Sequence, residues 1–253
     1  MQIISVANQK GGTAKTSTVF ALVTGAAYRG KKALAIDLDP QGNLSFIMGA
    51  DISKPGTYEI LTDQIQDAAA CVQHSKCGDI IPASLNLAGA DIELSGKPGR
   101  DFFLQAAIEP LKAVYDLIVI DTPPTLGTLI INALTATDKV VIPMNADILS
   151  LQGLYQLNDT IKQVKRFCNH SLDVGGILIS QYDSRTVLAK DLRATITSKA
   201  QELSMPVYKT VIRNGVAVQE SQTMQESLFT YAPKSKPAQD YLHLLDEMQI
   251  LPN

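Results

Sequence analysis

A chain of 253 residues, 45% hydrophobic and 19% charged, has the size and composition of one sizeable domain spanning residues 1–253, with little room for a second. No apolar stretch approaches a membrane span and no basic-then-apolar leader opens the chain, so a cytoplasmic protein is expected. The net charge of −3 argues against a nucleic-acid coat protein, and three cysteines without C-x-x-C spacing argue against a disulfide framework or zinc site.

In chain order, apolar runs predict strands at 3–8 (IISVAN), 33–39 (ALAIDLD), 79–84 (DIIPAS), 116–122 (DLIVIDT), 139–144 (KVVIPM), 175–181 (GGILISQ) and 207–213 (VYKTVIR). Several are apolar almost throughout, as strands covered on both faces are. Helical patterns lie between them near 15–29, 101–114, 127–136, 150–167, 187–203 and 237–249. Strand–helix alternation of this kind predicts an α/β fold, a doubly wound and mostly parallel sheet with helices on both faces. Ligands of such sheets gather at the carboxyl ends of the strands, here just after residues 8, 39, 122 and 144. The stretch CVQHSKC (71–77) reads as a surface helix and loop.

After the first strand the chain reads QKGGTAKTS. The usual phosphate-loop pattern, G-x-x-x-x-G-K-[ST], would place glycine at Gln9 and Ala14. Instead Gly11 and Gly12 are adjacent, with Lys10 before them and Lys15 after. Two residues without Cβ let backbone N–H groups converge on an anion, and the helix start adds donors and a positive dipole end. The cofactor-binding set is therefore Gly11, Gly12, Thr13, Ala14, Lys15, Thr16 and Ser17. Lys15 would reach the outer phosphates of ATP, and the Thr16 hydroxyl would ligate Mg²⁺. Ala14 falls where the helix begins, so an ordinary helical conformation is expected there.

Acidic groups recur at two other strand ends. Asp37 and Asp39, two residues apart in AIDLDPQGN, are expected to share a face towards the cleft. Asp121 closes four apolar residues in LIVIDTPP, the arrangement that holds Mg²⁺ directly or through water.

The segment KGGTAKT fits the deviant pattern K-G-G-x-x-K-[ST]. Together with DLDPQGN, IIPASLNLAGADIEL, YDLIVIDTPPTLGTLIINALTATDKVVIP and YAPKSK, it makes nearly the whole chain resemble the ParA/Soj chromosome- and plasmid-partitioning ATPases. The resemblance implies an ATP-sandwich homodimer in which Lys10 reaches the nucleotide of the other protomer. It further implies that Asp39 positions the attacking water, while Asp37 and Asp121 support Mg²⁺ and the switch segments. The implied catalytic set is Lys10, Lys15, Asp39 and Asp121, and the implied metal set is Thr16, Asp37 and Asp121. Slow hydrolysis is expected, accelerated by a ParB-like centromere-binding protein.

Non-specific DNA binding by the ATP dimer, on the nucleoid, also follows from the resemblance. Residues 151–213 carry nine Lys/Arg against five acids. The expected DNA contacts are Arg185, Lys190 and Arg213. Val216 and Ala217 stand where relatives commonly place a further arginine. A MinD-like ATPase acting on a membrane or protein target is the alternative. The tail AQDYLHLLDEMQILPN is acidic, however, and its Tyr241, Leu244, Leu245 and Met248 read as a core-facing stripe.

Overall fold

The computed structural model describes residues 1–145 and 150–250. Its strands are β1 (Gln2–Val6), β2 (Ala33–Asp37), β3 (Gln73–Ser75), β4 (Gly78–Ile81), β5 (Leu117–Asp121), β6 (Lys139–Asn145), β7 (Asp173–Tyr182) and β8 (Val207–Arg213). The helices are α1 (Lys15–Tyr28), α2 (Asn43–Ile47), α3 (Thr57–Leu61), α4 (Ala90–Glu93), α5 (Phe103–Ile108), α6 (Thr128–Thr135), α7 (Ser150–Phe167), α8 (Val187–Glu202), α9 (Val216–Thr223), α10 (Leu228–Tyr231) and α11 (Lys236–Glu247). The strands form one sheet in the order β3-β4-β2-β5-β1-β6-β7-β8, parallel except for the antiparallel β3–β4 pair. The expected doubly wound α/β fold is present. Its order reverses at β1, which pairs with β5 on one side and β6 on the other, so the cleft lies above the carboxyl end of β1.

The apolar strands serve two cores at once. In β5, Leu117 and Val119 face a layer built with α1, α10 and α11, while Ile118 and Ile120 face a layer containing Leu104 and Leu129. All four are fully buried, and such burial is worth roughly 1.5–3 kcal/mol per side chain. A third layer packs Leu154, Leu157 and Ile161 of α7 on Val140 and Ile142 of β6. The stripe of α11 lies in the first layer, with Tyr241, Leu244, Leu245 and Met248 all buried, so its apolar face is already covered.

Several boundaries differ from expectation. The segment around CVQHSKC forms a 3-10 turn (Ala68–Cys71) and then the β3–β4 hairpin instead of a surface helix. The 101–114 helix breaks into 3-10 (Arg100–Phe102), α5 and 3-10 (Glu109–Ala113) pieces, the second break falling at Pro110, which lacks the N–H that a continuous helix needs. Pro82 likewise follows the last residue of β4.

The outer edge of β8 is occupied by α11. The Glu247 carboxylate accepts the backbone N–H groups of Lys209 and Thr210 at 2.6 and 2.9 Å, and Asp240 accepts that of Arg213 at 2.9 Å. At the other end of the sheet, α3 starts at Gly56, whose N–H donates to Glu59 at 2.7 Å. Thr57 follows and donates its hydroxyl to the Asp37 carbonyl at 2.8 Å. A Cβ on Gly56 would lie 2.1 Å from the Pro82 carbonyl oxygen, a backbone atom that cannot swing aside. Gly56→Ala is therefore expected to destabilise the protein by about 1–3 kcal/mol, measured as a lower denaturation midpoint. An unchanged midpoint would show that α3 can lift off β4 at no cost.

Candidate nucleotide site

The loop between β1 and α1 is held from below. Asn8, buried at the strand exit, donates its side-chain amide to the Pro143 carbonyl at 2.7 Å and accepts the Lys10 N–H at 3.0 Å. Gly12 then takes φ 74°, the left-handed region that glycine enters without penalty. Ala14 also takes φ 64°, ψ 30°, which corrects the expectation of an ordinary helical conformation. Its Cβ costs about 1–2 kcal/mol in that region, a strain typical of binding loops. No side chain caps α1 at Ala14, and the first helical bond runs from Thr18 N–H to the Ala14 carbonyl. The amides of residues 15–17 thus precede the helical ladder and remain as anion donors.

Lys15 is 8% exposed, and its ammonium lies 3.4 Å from the Lys10 carbonyl oxygen. Burial lowers its pKa, and the nearby Asp121 and Asp39 carboxylates oppose that shift. The Thr16 hydroxyl donates to Asp121 Oδ2 at 2.7 Å. Asp121 itself is fully buried, and its Oδ1 has no hydrogen-bond partner. Desolvation, followed by the charge of Asp37, raises its pKa well above the usual carboxylate range. A buried carboxylate oxygen beside a hydroxyl suits a hard cation or its water shell. Among the described residues no group of three or more His, Cys, Asp or Glu is placed to hold a metal.

Asp37 and Asp39 do not both reach the cleft: only Asp39 lines it. β2 stops at Asp37, so strand alternation does not reach Asp39. Asp37 is fully buried, accepting the Asp39 N–H at 3.0 Å on one oxygen and the Ser45 N–H and hydroxyl at 2.8 and 2.7 Å on the other. Burial pushes its pKa up to about 6 against these hydrogen bonds. Its visible work is to tie the end of β2 to α2. Asp39 instead lines a cleft of about 440 Å³ together with Gly11, Gly12, Lys15, Thr16 and Phe46. A second cavity of about 190 Å³ shares Ala14, Ser17 and Gln181 with it and continues past Asn214 to Tyr241.

Of the residues expected on DNA, Arg213 also lines this second cavity, while Arg185 and Lys190 line neither. Arg185 is exposed and paired through Nε and Nη2 with Asp183 at 2.9 and 2.8 Å. Arg213 donates Nε and Nη2 to the buried Asp240 at 2.6–3.1 Å, a contact that also fixes α11 on β8. Both arginines line one groove of about 390 Å³ with Lys236, which sequence reasoning did not single out. Lys190 is exposed on α8, outside the lining of that groove. Sequence reasoning also missed Asn8, Asn145, Ser180 and Gln222, the last donating to the Ser17 hydroxyl at 2.9 Å. Polar residues at strand ends hinted at Asn8, Asn145 and Ser180; nothing in the sequence pointed to Gln222, which lies on α9.

The AAA domain family matches residues 1–174. The sporulation initiation inhibitor protein Soj of Bacillus subtilis is 38% identical over 98% of both chains. The chromosome partitioning protein ParA of Caulobacter vibrioides is 36% identical over 98% of this chain and 94% of its own. Among solved structures, cobyrinic acid a,c-diamide synthase from Mycobacterium smegmatis with bound ATP analogue and magnesium superposes with a TM-score of 0.85 at 32% identity, over 97% of this chain and 93% of that one. The chain belongs to the ParA/Soj family of P-loop ATPases.

The raised pKa of Asp121 makes a stability prediction. Below about pH 4 the carboxyl is protonated in folded and unfolded chains alike; above it only the folded chain resists ionisation, so wild-type stability is lost as pH rises. Asp121→Asn keeps an oxygen for Thr16 and carries no charge. Without nucleotide, the variant is expected to melt above wild type at pH 7 and level with it near pH 4. A variant that melts below wild type at both pH values refutes the assignment.

Proposed function

We propose that this chain, taken whole, is a magnesium-dependent ATP hydrolase of the partitioning type. It forms an ATP-bound homodimer, holds duplex DNA without regard to sequence and is reset by hydrolysis. The observation that carries the reading is the convergence of Lys15, Thr16 and Asp39 on one cleft, with Asp121 bonded to Thr16 behind it, in a chain 38% identical to Soj. In this reading the amides of residues 11–17 and the Lys15 ammonium hold the phosphates. The smaller cavity bounded by Gln181, Asn214 and Tyr241 takes the base. Thr16 and Asp121 hold Mg²⁺, directly or through water, and bound Mg²⁺ neutralises charge on the outer phosphates. Asp37 supports that set from behind by fixing α2, and Asp39 orients the attacking water. Among the described residues no arginine lines the cleft that takes the phosphates, and Arg213, at the base cavity, is held by Asp240, which supports slow turnover and an activating ParB-like partner. Lys10 acts on the nucleotide of the second protomer.

The buried stripe of α11 favours DNA over a membrane as target, and among the described residues no helix is long and apolar enough to cross a bilayer. The DNA surface is the groove with Arg185, Arg213 and Lys236, extended by Lys190. Asp183 and Asp240 temper its charge, so affinity rests on doubling the groove in the dimer. Val187, Leu188 and Val216 are about 70% exposed beside it. That apolar rim favours a protein target as the second reading.

Random-sequence duplex binding, measured with ATP, with ADP and without nucleotide at two salt concentrations, tests the proposal. Binding is expected only with ATP, falling with salt by roughly 0.9 log units per log unit for each phosphate contact. Equal binding in all three states overturns the nucleotide switch, and no binding in any state moves the target to protein. Lys10→Ala is expected to retain ATP affinity in calorimetry but to stay monomeric with ATP by light scattering. A normal ATP dimer of that variant contradicts the cross-subunit role.

A further inference from the structure

An anion-binding loop needs its N–H groups turned towards the ligand, so its carbonyl groups must turn away and find donors elsewhere. In a trans peptide the C=O and the following N–H point in opposite directions, and this chain has no cis bond among the described residues. Fixing a carbonyl on one side therefore aims the next amide to the other. The Gly12 carbonyl accepts two side-chain amides, Asn145 Nδ2 from the end of β6 and Gln181 Nε2 from the end of β7, each at 3.1 Å. The Thr13 carbonyl accepts the Ser180 hydroxyl at 3.0 Å, and the same hydroxyl lies 3.1 Å from Asn145 Oδ1. Three side chains from two strands thus hold the peptide units whose N–H groups belong to Thr13 and Ala14.

Gln181 maintains its bond from a left-handed backbone, φ 51°. A residue with a Cβ keeps that conformation only where surrounding contacts enforce it. Its side chain also borders both the phosphate cleft and the smaller cavity beside it.

We propose that Asn145, Ser180 and Gln181 form an outer clamp that presets the Thr13 and Ala14 amides for the nucleotide phosphates, acting as positioning residues for ATP. The inference rests on the nucleotide reading of the cleft. The clamp keeps the loop in its binding shape before the ligand arrives, so little ordering is left for the binding step. The two donors on the Gly12 carbonyl back each other up. Losing one leaves the carbonyl satisfied, and losing both leaves it exposed to rotation of the peptide.

The test is a double-mutant cycle on the full chain with Mg²⁺-ATP as ligand. Asn145→Ala, Gln181→Ala and the double variant are compared by calorimetry, steady-state hydrolysis and thermal melting, with Gln181→Gly and Lys15→Ala alongside. Each single clamp variant is expected to weaken ATP about 2–5-fold, and the double variant by more than the product of the two. KM rises in each while kcat changes less, because the amides hold phosphate in ground and transition states alike. Gln181→Gly loses the same donor without the strained Cβ and shows the same KM as Gln181→Ala. Multiplicative effects on ATP, or wild-type KM with a lowered melting temperature, would reduce these bonds to scaffolding and overturn the clamp, provided Lys15→Ala has lost ATP. Wild-type ATP affinity in Lys15→Ala overturns the reading of the cleft instead.

Discussion

Negative charge buried at the carboxyl edge of two neighbouring strands is the constraint around which the molecule is arranged. Asp37 and Asp121 are register partners on β2 and β5, both fully buried, with apolar residues behind them on both faces of the sheet. Two carboxylates so placed cannot both ionise at ordinary cost without a cation. Asp37 is relieved by three donors from the Asp39–Ser45 segment, and that relief shapes the loop which presents Asp39. Asp121 is relieved on one oxygen only, by Thr16, while Lys15 supplies positive charge from the first turn of α1. The remaining oxygen, buried and without a hydrogen-bond partner, is the least satisfied group at this edge.

Much of this was legible in the linear chain, and the parts that were not share a physical reason. Strands such as LIVID, buried on both faces, announce themselves as unbroken apolar runs, so the parallel sheet and its carboxyl edge could be placed in advance. Lys15, Thr16 and Asp121 were legible because their chemistry is local to a strand end or a helix start. β3 was not, since a three-residue edge strand reading QHS carries no apolar signal. Helices of five to eight residues, such as α2, α3 and α9, are too short to show a period. Ala14 misled because backbone conformation there is imposed by the loop around it rather than by its own preference. Asp39 misled in another way: alternation holds only while the strand lasts, and β2 ends two residues earlier. Asn145, Ser180 and Gln181 lie more than 130 residues from the loop they touch, and only tertiary structure joins them.

The groove with Arg185 and Arg213 shows how a basic patch can be weaker than its residue count. Each guanidinium already has a carboxylate, exposed in the case of Asp183 and buried in that of Asp240. The exposed pair can exchange partners readily, because water screens both ions. The Asp240 pair cannot, because releasing Arg213 would strand a charge within the α11–β8 contact. Arg185 is therefore the adaptable member and Arg213 the fixed one, and removing either changes a different property of the surface.

Among the described residues the sheet is open, eight strands with two unpaired margins, each a template for unwanted growth. This chain closes one with a three-residue strand running against its neighbour, too short to guide another chain. At the other, carboxylates of α11 sit on the backbone amides of β8, where an incoming strand would have to displace them. Copies of this molecule can thus come together at high concentration without stitching into fibrils through their sheets.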